Sequence, residues 1–216
     1  MNTEYSREKR KTKKEYNFNI MLQYVVFIGV AVNLFGTLFY IRDTLRGKTK
    51  PNRVSWFLWT VVPFIATAAA LSDGVRLAAL PVFIAGFTPL MVFIASFVNP
   101  NAYWKLERFD YLCGAFSVLA LILWAVTREP DSAILLAILS DTLAAYPTIK
   151  KAWQHPETES GATFLGGLLS AITAFFALRT FAFSEYAFPI YLVIQNGLIL
   201  FAIYRQKLFP RYSLSK

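Results

Sequence analysis

Seven runs of apolar residues, each close to twenty residues long and each closed by a polar or proline-containing break, constrain this chain more than any other feature. Twenty residues in helical form rise about 30 Å, the thickness of a bilayer's hydrocarbon core. A lipid-facing strand would leave its backbone groups unpaired at that depth, so the runs are expected as helices. They fall at 20–41, 54–71, 77–98, 109–127, 132–149, 161–178 and 187–204. Only 16% of residues are charged and 56% are hydrophobic, too few charges to clothe a soluble surface and too many apolar groups for a disordered chain. The expected fold class is therefore an all-α integral membrane protein.

The breaks differ in chemistry. Lys48-Thr49-Lys50-Pro51-Asn52-Arg53 cannot remain in hydrocarbon, and Ser72-Asp73-Gly74 reads as a tight turn. Asn99-Pro100-Asn101 reads as a turn followed by the aromatic and basic cluster Tyr103-Trp104-Lys105. Pro130 sits at a helix start, and Gln154-His155-Pro156-Glu157 closes the fifth run. The sixth break is the least marked, with Arg179 and Glu185 as its charges. Residues 1–19 form a basic tail, Arg7, Lys9, Arg10, Lys11, Lys13 and Lys14 against Glu4, Glu8 and Glu15, expected as disordered or partly helical. The net charge of +9 lies beside apolar runs, which favours lipid headgroups over nucleic acid as the partner.

Sliding the chain on itself reveals an internal repeat. At a shift of 107, Phe57-Leu58 falls on Phe164-Leu165 and Ile65 on Ile172; at 108, Pro81 falls on Pro189 and Thr88-Pro89 on Asn196-Gly197. The chain divides into a first three-helix repeat at 20–98, a connection and linker helix at 99–127, a second repeat at 128–206 and a C-terminal tail at 207–216. Two odd-numbered bundles separated by one extra helix run parallel. Arg42, Arg46, Lys48, Lys50, Arg53, Lys105, Arg108, Lys150, Lys151, Arg205, Lys207, Arg211 and Lys216 share one side, against Arg76, Arg128 and Arg179 on the other. That asymmetry puts the C-terminus in the cytoplasm, in a cytoplasmic (inner) membrane, whereas the tail cations argue for the reverse.

Asp141 is the sharpest single signal. A carboxylate in the middle of a span costs about 2.5–3.5 kcal/mol on insertion scales, so it should face a cavity or a partner. It would carry a proton, hold a substrate amine or hydroxyl, or simply pack against Ser140 and Thr142. Asn33 stands near the matching position of the first repeat, as a pocket residue or a helix–helix hydrogen bonder. Asn196 is preferred over its neighbour Gln195 for the bundle centre, since adjacent helical residues point about 100° apart. Trp56, Trp59, Trp104 and Trp153 read as interfacial anchors, and of these only Trp59 is deep enough to serve instead as a substrate-stacking wall. Gly29 and Gly36 read as close helix packing, and Cys113 as a small packing residue. Single Cys113 and His155 exclude a disulfide and multi-histidine or multi-cysteine metal sites. No catalytic set stands out, so neither an enzyme nor a cofactor is expected.

With these features in view, the chain resembles the PQ-loop and SWEET family of small-solute transporters from about Ile20 to Tyr204. The resemblance is carried by the three-one-three layout, by the polar connections that follow Tyr40-Ile41 and Tyr146-Pro147-Thr148, and by Asn196-Gly197 in the last helix. The chain departs from the family in lacking any Pro-Gln dipeptide. The resemblance implies hinge prolines at Pro63 and Pro147, with Ser170 opposite Pro63, and a pocket asparagine at Asn196 with Thr88 as its counterpart. It implies a transporter moving a small polar solute by alternating access, with Asp141, Asn196, Thr88, Asn33 and Trp59 at the pocket and proton coupling open to Asp141. The alternative is a non-transporting scaffold or assembly factor that binds lipid or a protein partner.

Overall fold

The structure, a computed structural model, describes residues 2–72, 80–102, 104–127, 130–177 and 183–208. Among them it is all helical, with seven α-helices: α1 (Asn2–Leu45), α2 (Arg53–Ser72), α3 (Leu80–Val98), α4 (Arg108–Thr127), α5 (Pro130–Gln154), α6 (Ala162–Ala174) and α7 (Phe183–Leu208). Each helix overlies one of the apolar runs. The turn expected at Ser72-Asp73-Gly74 falls largely outside the described residues, as do 178–182 between α6 and α7. The basic tail, expected as disordered or partly helical, is helical. It continues α1 without a break from Asn2, and its acid–base spacings (Glu4 to Arg7, Glu8 to Lys11, Lys11 to Glu15) are those that support a helix.

Local chemistry sets the helix ends. Gly47 adopts φ 71°, with its N–H donating to Thr44 O at 2.9 Å and that of Lys48 to Asp43 O at 2.9 Å, which closes α1 in a Schellman motif. Asn52 caps α2, its Oδ1 accepting from Val54 N at 3.1 Å and Ser55 N at 3.4 Å. Asn52 Nδ2 donates to Asp110 Oδ1 at 3.1 Å, and Glu107 N donates to Asp110 Oδ2 at 2.7 Å, so one buried carboxylate ties the first loop to the start of α4. Pro130 opens α5, and α5 stops before His155-Pro156, where a helix can no longer be continued.

The packing order is the same in both halves. Helix α3 packs on both α1 and α2, and α7 packs on both α5 and α6. Between the halves, α1 lies against α6 and α2 against α5. Helix α4 packs mainly along α5, where Ser117 Oγ donates to Ser140 O at 2.8 Å and Ser140 Oγ to Ser117 O at 3.0 Å. The loop after α1 touches the loop after α5, Lys50 N donating to Thr158 O at 2.8 Å. Both first helices of the triads therefore end on the same side. Asn99 Nδ2 donating to Leu45 O at 2.8 Å and the Lys150–Glu107 ion pair at 3.7 Å bring the α3–α4 connection to that end too.

The outside of the bundle is apolar. Helix α4 exposes Leu112, Phe116, Leu119, Ile122 and Val126, and α1 exposes Phe27, Ile28, Phe35 and Leu38. The stretches Tyr24–Leu45 and Tyr186–Leu208 are long and apolar enough to cross a membrane, and Phe83–Val98 and Ala162–Ala174 are shorter apolar helices.

Candidate functional site: a cavity between the two triads

A cavity of about 540 Å³ lies at the centre of the bundle, walled by α1, α2, α3, α5, α6 and α7. The five residues singled out from the sequence, Asn33, Trp59, Thr88, Asp141 and Asn196, all line it, two on α5 and α7 and three on the first triad. Of the expected hinge prolines, Pro63 lines the cavity and Pro147 is buried within α5 away from the lining.

Asp141 is buried, 7% exposed, and follows the serine that clasps α4. One step along a helix turns the side chain by about 100°, so with Ser140 committed to α4, Asp141 faces the cavity. Tyr191 Oη donates to Asp141 Oδ2 at 2.9 Å, and the Gln195 amide lies close enough to Asp141 to favour its charged form. Tyr191 and Gln195 are four residues apart, so one face of α7 presents both. Sequence reasoning missed this pair. A tyrosine inside an apolar run carries no mark of its own, and Gln195 lost the comparison with Asn196. Both Gln195 and Asn196 in fact line the cavity, Gln195 the more buried of the two.

The remaining polar side chains are partly turned back on their own helices. Asn196 Nδ2 donates to Leu192 O at 2.8 Å and Thr88 Oγ1 to Ile84 O at 3.1 Å, which leaves the Asn196 carbonyl group on the cavity side against Gly167. Asn33 Oδ1 accepts from Thr37 Oγ1 at 3.4 Å.

One end of the cavity is floored by aromatic rings. Trp56 meets Trp59 edge to face at 5.2 Å and Tyr40 at 5.0 Å, and Phe164 packs against all three. Trp56 is thus not the interfacial anchor expected of it. At 3% exposed it is part of the core, because the buried loop residues Pro51 and Asn52 fold over the start of α2. Trp104 is half-buried and Trp153 exposed. The indole Nε1 atoms of Trp56 and Trp59 are buried without an acceptor.

Behind the floor lies a polar lock between the triads. Tyr40 Oη donates to Glu159 Oε2 at 2.6 Å; Lys151 Nζ pairs with Glu159 Oε1 and donates to Lys50 O. The Lys151 and Glu159 side chains are 1% and 0% exposed. The Trp104 ring lies 5.3 Å from the ammonium. The lock joins α1 and the α1–α2 loop to the end of α5 and the α5–α6 loop. Asp110 is buried in its connection to Asn52. His155 is exposed beside Glu157, and Cys113 is a buried free thiol. No cluster of three or more metal-ligating side chains occurs among the described residues.

No family model, no curated protein and no solved structure matches the chain.

Proposed function

We propose that the chain spans a membrane seven times and carries a small solute through the central cavity by alternating access between its two triads. The observation that carries this reading is the cavity itself: side chains of both triads converge on a space large enough for a small molecule, closed at one end by an aromatic floor and a buried lock. A scaffold has no need of such a space, and a carboxylate facing it is costly without a use. The shared packing order of α1–α3 and α5–α7, with their first helices ending on one side, supports a parallel repeat. The apolar exterior supports a bilayer around all seven helices. The concentration of cations at the lock end supports a cytoplasmic placement of that end. In this reading the lock is the inner gate, which must part for the cavity to reach the cytoplasm, and neutralisation of Asp141 couples a proton or a cation to the cycle.

The test needs no known solute. In a Cys113→Ser background, Thr88→Cys and Asn196→Cys are placed in sealed vesicles of known orientation. Membrane-impermeant thiol reagents added from either side should label both positions. Labelling from one side alone would remove alternating access and leave the scaffold reading.

A further inference from the structure

We infer that the cavity binds a compact organic monocation, an ammonium whose head meets the Asp141 carboxylate and whose apolar body lies against Trp56 and Trp59. That this ligand is cargo rests on the transport reading above; that it is a monocation follows from the wall.

The first argument is charge. Asp141 lines the cavity, and no lysine, arginine or histidine does so among the described residues. The groups beside it, Tyr191 and Gln195, bring hydrogen-bond donors but no counter-charge. A single buried carboxylate without a protein cation is matched by one positive charge from the ligand. An anion or a zwitterion would bring a second negative group into a space with no base to receive it.

The second argument is surface. Outside a few polar groups the wall is Val30, Val62, Ile84, Phe188, Leu192 and their like. Such a wall would strand the hydroxyls of a polyol, and it suits an apolar body. Trp56 and Trp59 offer aromatic faces, which attract alkylammonium groups and cover hydrocarbon equally well.

The test uses the purified full-length protein and three probes of one shape: 2-phenylethylamine, 2-phenylethanol and 3-phenylpropanoate, with sodium chloride as a fourth. Binding is read by calorimetry and by thermal stabilisation. The amine alone should bind, and Asp141→Asn should weaken it roughly tenfold or more, the loss of a charge-assisted hydrogen bond. Trp59→Leu should weaken it severalfold, and this variant decides the matter if Asp141→Asn does not fold. Equal binding of alcohol and amine, binding of the carboxylate, stabilisation by sodium alone, or amine affinity unchanged in either variant would each overturn the inference. Amine binding with cysteine labelling from one side only would keep the ligand class and remove transport. Two-sided labelling without amine binding would do the reverse.

Discussion

The two seams that join the triads occupy equivalent places, yet they are built from different materials. In the α1–α6 seam the backbones touch. A Cβ on Gly36 would stand 2.4 Å from Ala162 O, one on Gly29 2.1 Å from Thr173 Oγ1, and one on Gly166 2.9 Å from Asn33 Cα. In the α2–α5 seam the meeting is shorter, pinned by Thr148 Oγ1 donating to Ser55 Oγ at 2.9 Å, and α2 turns Trp56 and Trp59 to the cavity where α6 turns Gly167, Ser170 and Ala171. Small residues let two helices close without a gap, whereas bulky ones on one helix facing small ones on another hold a space open. The cavity follows from this mismatch. The cavity-lining side chains differ as well: the first triad supplies the two tryptophans, the second the carboxylate and the tyrosine that bonds it.

The largest expected effect is on the tight seam. Gly36→Leu drives a whole side chain into the Ala162 carbonyl, a backbone atom that cannot step aside. Overpacking by a few methylenes alone costs about 1–3 kcal/mol, and this substitution exceeds that, so no monodisperse folded protein is expected on size exclusion. Recovery of wild-type protein would show that the seam is loose and the comparison wrong.

The lock comes next. Lys151→Met leaves Glu159 buried without its counter-charge and held by the Tyr40 hydroxyl alone, at a cost of about 3–5 kcal/mol in thermal or denaturant unfolding. Lys151→Met with Glu159→Leu removes both charges and should regain most of that loss. If the lock also serves as a gate, the double variant will label faster at Thr88→Cys from the lock side. Equal destabilisation by single and double variants would mean that the two charges are not coupled.

These elements differ in how readily the sequence revealed them. The seven helices were legible because each apolar run is bracketed by polar or proline-containing breaks, and the structure moves their ends by a few residues except at the start of α1, which reaches back to Asn2. Asp141 was legible because a lone acid in the middle of an apolar run stands out. The lock was not. Lys151 beside Lys150 reads as one more cation at a helix end, and Glu159 lies in a proline-containing loop; only the approach of that loop to Tyr40 and Lys50 buries them together. Trp56 was misread because its neighbourhood in the chain is polar, while in space that polar loop is itself buried. A partly helical tail was among the expectations, but its continuity with α1 was not, because charge density was weighed there and i, i+3 spacing was not.

A smaller effect separates the cavity wall from the framework. Asp141 belongs to the wall and to neither seam. Asp141→Asn retains an oxygen to accept the Tyr191 hydrogen bond, so the change in unfolding free energy should stay within about 1 kcal/mol. Binding of 2-phenylethylamine, and its flux in proteoliposomes if the proposed transport holds, should nevertheless be lost. A drop in stability of several kcal/mol with flux intact would place Asp141 in the framework and leave only its packing role.

The smallest effect tests whether glycine matters for its own sake or for where it lies. Gly197 shares α7 with Asn196 and follows it directly, so it could be taken as part of the site. A Cβ added there meets nothing within 4 Å, in contrast to every glycine of the α1–α6 seam. It sits inside a helix, where glycine is less favourable than alanine by up to about 1 kcal/mol through backbone freedom lost on folding. Gly197→Ala should therefore leave solute binding unchanged and raise the unfolding midpoint slightly. Gly166→Ala, the same added methyl, must push against Asn33 Cα and the Val32 carbonyl at 3.0 Å, and should lower that midpoint. Opposite signs from one chemical change would show that contact between helix backbones sets the requirement. Equal losses at both positions would mean that α7 uses the bend or mobility of Gly197 itself, and the role of small residues would then extend beyond the seam.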